Sequence, residues 1–94
     1  MIKVMIERFI AEDLADHYQQ RASSTLQTAM STPGFISGES LKSVSNPNHR
    51  IIFANYRNLQ DWENWYHSEA RKEIMEQLKP MLLEDEKITI MTHI

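Results

Sequence analysis

Glu7, Phe9, Trp62, Trp65 and Met75 are the residues of this 94-residue chain whose types and spacing could do chemistry together. Glu7 alternates with Met5 and Phe9 on a segment that is apolar on both faces, and buried carboxylates are uncommon unless paired. Facing a pocket, Glu7 would have a raised pKa and could act as a general base. At a strand end it would instead pair with Arg8 or sit exposed at the rim. Trp62 and Trp65 are three residues apart and share one helical face, so they either plug the space between helix and sheet or wall a pocket for a planar ligand. Met75, in a helix rich in apolar residues, reads as a core filler or a pocket wall. Tyr18 and Tyr56 add phenolic hydrogen-bonding groups. His17, His49, His67 and His93 are scattered, with no spacing that fixes a metal.

Composition excludes several classes of function. There is no cysteine, which removes disulfides, thiolate catalysis and cysteine metal sites together. The net charge of -3 is spread along the chain, leaving no basic stripe for a phosphate backbone, so no nucleic-acid partner is expected. With two glycines, no P-loop, G-x-G-x-x-G or G-x-S-x-G motif is present. No stretch approaches the ~20 apolar residues of a membrane span, and MIKVMIERFI lacks the apolar region of a signal peptide. The expectation is a single cytoplasmic domain over residues 1–94. The acidic run Glu84-Asp85-Glu86 reads as a solvated turn.

The elements that must position the candidate residues follow in order. Ile2 to Ile10 alternates as a strand, with Ile2, Val4, Ile6 and Arg8 on one face and Lys3, Met5, Glu7 and Phe9 on the other. Glu12 to about Met30 has helical spacing through Leu14, Tyr18, Ala22, Leu26 and Ala29, with Asp13 suited to the positive end of the helix dipole. Pro33-Gly34 turns into a strand from Phe35 to Val44, interrupted at Gly38 where a bulge or a close backbone approach is expected. Asn46-Pro47-Asn48 turns again into Arg50–Tyr56, rich in β-branched and aromatic residues, giving an antiparallel hairpin. Asn58 should cap a helix carrying both tryptophans, and Ser68 a second segment with a stripe of Ala70, Ile74, Leu78 and Met81 that ends near Pro80. Lys87 to Ile94 closes as a strand.

Strand, helix, strand, strand, broken helix, strand predicts an α+β fold, a ferredoxin-like split βαβ sandwich with an antiparallel sheet. Helices can cover only one face of such a sheet. The other would present Ile2, Val4 and Ile6 or their counterparts to water, which predicts a homodimer packed through its sheet faces.

The element order, Pro33-Gly34-Phe35 opening the second strand, and the run Asn58-Leu59-Gln60-Asp61-Trp62-Glu63-Asn64-Trp65 with Ser68 resemble the antibiotic biosynthesis monooxygenase (ABM) domain family, over nearly the whole chain. The resemblance implies a dimeric α/β barrel with a pocket in each protomer between sheet and helices. Some members oxygenate electron-rich aromatics with no metal or flavin, and others degrade haem. The haem-degrading branch carries an asparagine, a tryptophan and an iron-ligating histidine at positions that fall here on Glu7, Trp65 and Met75; only the tryptophan is kept. Other members place histidines where this chain has Trp65 and Ala70.

The expected function is a monooxygenase with no cofactor and no metal, acting on a small aromatic or quinol-like substrate, with Glu7 as base and Phe9, Trp62, Trp65 and Met75 as pocket walls. The alternative is a non-catalytic dimeric protein that binds a small molecule, haem among them, or serves in a stress response.

Overall fold

The computed structural model describes residues 1–94, and its elements run β1 (Ile2–Phe9), α1 (Ala15–Met30), β2 (Phe35–Lys42), β3 (His49–Tyr56), α2 (Leu59–Tyr66), α3 (Glu69–Leu78), a short 3-10 turn (Lys79–Met81) and β4 (Lys87–Thr92). The four strands form one antiparallel sheet in the order β2-β3-β1-β4. This is the ferredoxin-like α+β arrangement, with every helix on one side of the sheet.

The alternation of β1 sets the two faces. Ile2, Val4, Ile6 and Arg8 are buried, while Lys3, Met5, Glu7 and Phe9 are half-buried on the opposite side. The buried face packs with Ala29, Ala54, Tyr56, Trp62 and Trp65 into the main core. A second cluster of Ile10, Tyr18, Ala22 and Leu78 closes the end of the sheet beneath α1 and α3. Ile2, Val4 and Ile6 therefore face the helices. Their counterparts on the open face are Met5 and Phe9, joined by Ile51 and Phe53 of β3, with which β1 is in register at Met5↔Phe53 and Glu7↔Ile51. Leu41 and Met91 extend the apolar patch on the outer strands, where they are exposed.

Local chemistry explains the boundaries. Asn58 caps α2, its Oδ1 accepting from the Asp61 backbone N–H at 2.8 Å, and Ser68 caps α3, its Oγ accepting from the Arg71 N–H at 3.2 Å. Helix α1 starts later than its spacing suggests: Asp13 holds a left-handed backbone (φ 72°) and Leu14 occupies the N-cap. Gly34 is required at the second turn, with φ 85° and Asp61 so close that an added Cβ would lie 2.5 Å from the Asp61 Cβ. The β2 irregularity falls at Ile36, between Phe35 and Ser37. At Gly38 the close backbone approach is present without a bulge, since an added Cβ would lie 3.2 Å from the Phe53 carbonyl oxygen and 3.0 Å from the Phe35 ring.

Candidate active site

The helix side of the sheet holds a narrow cleft between α1, α2 and the central strands. Its aromatic wall is a ladder of edge-to-face pairs: Phe35 on Tyr56 and Tyr56 on Trp62, both with ring centroids 5.6 Å apart. Trp65 completes the wall from one turn further along α2. Trp62 is 3 % and Trp65 6 % exposed, so both are core residues and cleft walls at once. The cleft retains about 40 Å³, room for a few waters at most. Thr32 approaches the Tyr56 hydroxyl at 3.5 Å. Burial pushes the Tyr56 phenol up, against the opposing effects of that contact and of Arg71.

Charge is buried at the floor of the cleft. Arg8, on the inward face of β1, donates from Nε to Glu86 Oε2 at 2.9 Å, from Nη1 to the Tyr18 hydroxyl at 3.1 Å and from Nη2 toward Met75 Sδ at 3.8 Å. Arg71, in the first turn of α3, donates to the other Glu86 oxygen. Arg8 and Arg71 are both buried, 3 % and 7 % exposed. Burial pushes the Glu86 carboxyl up, but the two guanidiniums prevail and hold it below the usual carboxylate range. Burial likewise lowers Arg8, and Tyr18 and Glu86 more than offset it. One carboxylate between two guanidiniums leaves a net positive charge under an aromatic wall.

Outside this floor lies an open groove of about 570 Å³, lined by Tyr66, His67, Arg71, Met75 and the acidic and basic side chains around them. Arg71 lines both spaces and separates them. Its guanidinium lies over the Tyr66 ring, 4.6 Å from the centroid.

The structure divides the five residues chosen from sequence. Trp62 and Trp65 share the cleft. Met75 stands beside it, its sulfur toward Arg8, and lines the outer groove. Glu7 and Phe9 do not join them. Strand alternation puts both on the open face, where Glu7 Oε2 pairs with His49 Nε2 at 2.8 Å and Phe9 stacks on the His49 ring at 4.4 Å. The sheet itself separates Glu7 from Trp65, which corrects the expectation of a base beside the tryptophan.

Two further corrections define the site. Glu86 is no solvated turn residue; the carboxylate reaches inward while Glu84 and Asp85 remain exposed. The apolar stripe of α3 does not run through Ala70, which is exposed, and Arg71 takes the buried place instead. The signal available in sequence was Arg8, a cation on the same strand face as Ile2, Val4 and Ile6, which requires a buried acid to meet it. No three histidine or carboxylate side chains converge in an arrangement suited to a metal ion, and no helix is long and apolar enough to cross a membrane.

None of the curated protein sequences matches the chain. Solved structures do. A crystal structure described as an antibiotic biosynthesis monooxygenase superposes with a TM-score of 0.92 at 13% identity, covering 100% of this chain and 99% of its own. A conserved protein from Methanosarcina mazei Go1 gives 0.88 at 17% identity, over 95% and 88% of the two chains. SnoaB, a cofactor-independent oxygenase from Streptomyces nogalater, gives 0.86 at 12% identity, over 98% and 92%. Identities this low establish the shared fold alone. The family itself comes from the match of residues 1–77 to the antibiotic biosynthesis monooxygenase (ABM) model, and the chain belongs to that family.

Proposed function

We propose that this protein is a monooxygenase that works without metal or flavin on a small aromatic or quinol-like compound held on the helix side of the sheet. The observation that supports this most is the aromatic wall of Phe35, Tyr56, Trp62 and Trp65 set above a buried site of net positive charge. SnoaB, of the same fold, is described as a cofactor-independent oxygenase.

In the reaction, an acidic aromatic such as an anthrone loses a proton and its anion reduces O₂. One oxygen atom becomes the new carbonyl of the ring, the other leaves as water, and both hydrogens of that water come from the oxidised methylene carbon. The protein's part is to orient the ring, exclude bulk water and favour the anion electrostatically. Arg8 and Arg71 supply that field. Glu86, held ionised by them, is a weak proton acceptor, so the work is stabilisation of the anion rather than strong-base catalysis. Glu7, on the far face, takes no part. Oxygen uptake with anthrone and 1,8-dihydroxyanthrone tests the reading: turnover above the spontaneous rate, reduced in Trp65→Ala and unchanged in Glu7→Gln, is expected. Uptake at the spontaneous rate across the panel would remove it.

A second reading is favoured by the small volume of the cleft, about 40 Å³ with both tryptophans packed into it. That is far below the ~300 Å³ of ordinary ligand pockets. On this reading the protein binds without turnover, and the ligand lies in the outer groove. Haem as that ligand is tested by hemin titration; a Soret shift that disappears in Met75→Ala would assign the thioether to iron.

The protein is further proposed to be a homodimer through the open sheet face. Met5, Ile51 and Phe53, with exposed Leu41 and Met91, make an apolar surface that a second copy would cover about a two-fold axis. Sedimentation at micromolar concentration should give twice the 11.1 kDa of one chain.

A further inference from the structure

We infer that Arg71 is a carboxylate-binding residue and that the ligand of this protein is an aromatic acid, its carboxylate on the free edge of the Arg71 guanidinium. The inference deepens the reading of the helix side as a ligand site, on which it rests.

All three nitrogens of the Arg8 guanidinium have partners in Glu86, Tyr18 and Met75. Arg71 uses only Nη2, on Glu86, and its Nε and Nη1 have no acceptor in the protein. Those two nitrogens are not sealed in the core, because Asn55 Oδ1 is the sole buried side-chain polar atom left without a partner. They therefore open into the space around Arg71. Nη2 carries one hydrogen on each fork edge of the guanidinium, so whichever of them Glu86 takes, the other lies beside an unused N–H of Nε or of Nη1, and that edge matches a carboxylate in a two-bond fork, a geometry that an ammonium or a neutral donor does not offer.

Charge points the same way. The groove's own lining balances, with Arg71, Lys72 and Lys79 against Glu76, Asp85 and Glu86, and the excess is local, where Arg8 and Arg71 share the single carboxylate of Glu86. Lys79 is drawn toward Asp85 at 3.9 Å and Lys72 toward Glu69 at 3.6 Å, both on the exposed rim. The uncompensated charge thus lies at the buried pair on Glu86. Burying a guanidinium is costly unless an anion meets it, so the site is arranged to gain from a second carboxylate.

Arg71 is fixed from three sides: its backbone N–H by the Ser68 cap, its Nη2 by Glu86 and its face by the Tyr66 ring. Because it lines the groove, a carboxylate held there leaves an attached ring beside Tyr66 and Met75. Little reorganisation is needed on binding.

The test is a matched pair of probes, 1-hydroxy-2-naphthoate and 1-naphthol, measured by isothermal titration calorimetry against the native protein, Arg71→Gln and Arg71→Lys. The native protein should bind the acid on the order of tenfold or more tighter than the naphthol, as a charge-assisted pair implies. Arg71→Gln should abolish that preference, bringing the two affinities to within about twofold of each other. Arg71→Lys, which keeps the charge and loses the fork, should give an intermediate ratio and serves if the glutamine variant does not fold. The ratio of the two affinities is the readout, because a merely structural role of Arg71 would weaken both probes alike. Equal affinity of the native protein for the two probes, binding of neither, or a preference that survives both substitutions would overturn the inference. Oxygen uptake with anthrone separates this from the oxygenase reading. Arg71-dependent binding without turnover leaves the carboxylate site standing and removes the enzyme, whereas turnover with no preference for acids does the reverse.

Discussion

Glu86→Gln keeps the shape of the side chain and one carbonyl acceptor but removes the only negative charge between Arg8 and Arg71, so it isolates the electrostatic contribution of the buried cluster. Two unit charges about 4 Å apart attract by about 4 kcal/mol at an effective dielectric constant of roughly 20. Glu86 makes two such contacts, one of them at 2.9 Å. Against this stands the cost of desolvating the carboxylate, several kcal/mol, which the substitution relieves. The balance falls at the lower end of the ~3–5 kcal/mol typical for removing one partner of a buried pair, because the Glu86 side chain is still 11% exposed. A loss of about 3 kcal/mol lowers the melting temperature of a domain this size by roughly 12–24 °C.

The pH dependence gives the stricter test. The folded-state pKa of Glu86 is depressed, so its contribution is complete above the unfolded carboxyl pKa of ~4.3 and is lost as pH falls through the folded value. Urea unfolding of the native protein and Glu86→Gln should therefore differ by a constant amount from about pH 5.5 to pH 8, and the two should converge in acid. A variant within about 0.5 kcal/mol of the native protein at pH 7, or a gap that does not narrow as the pH falls below the unfolded carboxyl value of ~4.3, would refute the argument. Replacing the whole cluster with apolar residues (Arg8→Met, Arg71→Met, Glu86→Leu) should cost far less than Glu86→Gln alone, since no charge is then left unpaired.

Gly34→Ala should destabilise by about 2–3 kcal/mol, seen as a lower urea midpoint with unchanged slope, because φ 85° disfavours a Cβ and the Asp61 Cβ occupies its place. Trp65→Ala should cost about 3–4 kcal/mol in the same assay and enlarge the cleft, while the far-ultraviolet circular dichroism stays native. Phe53→Glu, placing a charge at the centre of the open face opposite Met5, should shift the sedimenting species to the mass of one chain without lowering the secondary-structure signal. Glu7→Gln should leave oxygen uptake unchanged and weaken only the local pairing with His49 on the open face.

Most of the fold was legible because it rests on local signals that tertiary contacts reinforce. The β1 alternation, the Asn58 and Ser68 caps and the hairpin through Asn46-Pro47-Asn48 each specify an element without outside help. The start of α1 was misjudged because Asp13 spends its backbone in a left-handed turn before the helix begins. The site was only half legible, for a reason rooted in separation along the chain. Arg8 and Glu86 are 78 residues apart, and nothing local to Glu84-Asp85-Glu86 distinguishes the acid that turns inward from the two that do not. Arg71 hid in the same way. A helix with a mixed stripe accepts either Ala70 or Arg71 on its buried side, and Glu86 decides which.

The exchange of Glu7 for Arg8 as the chemically relevant residue of β1 is a single step along a strand, and it inverts the chemistry expected. Side chains one residue apart on a strand stand on opposite faces. An inward Glu7 would have put a base beside the tryptophans. An inward Arg8 puts a cation there, which binds an acid to satisfy itself and remains positive in sum once Arg71 arrives on the same carboxylate. A site of that sign cannot draw a proton from a phenol by basicity, yet it can make the phenol more acidic by stabilising the anion formed. Oxygenation by this protein, on that argument, should depend on pH through the acidity of the bound substrate: the uptake profile should move with the pKa of the phenol across a series of ring-substituted naphthols, and a profile common to the whole series would point instead to an ionising group of the protein.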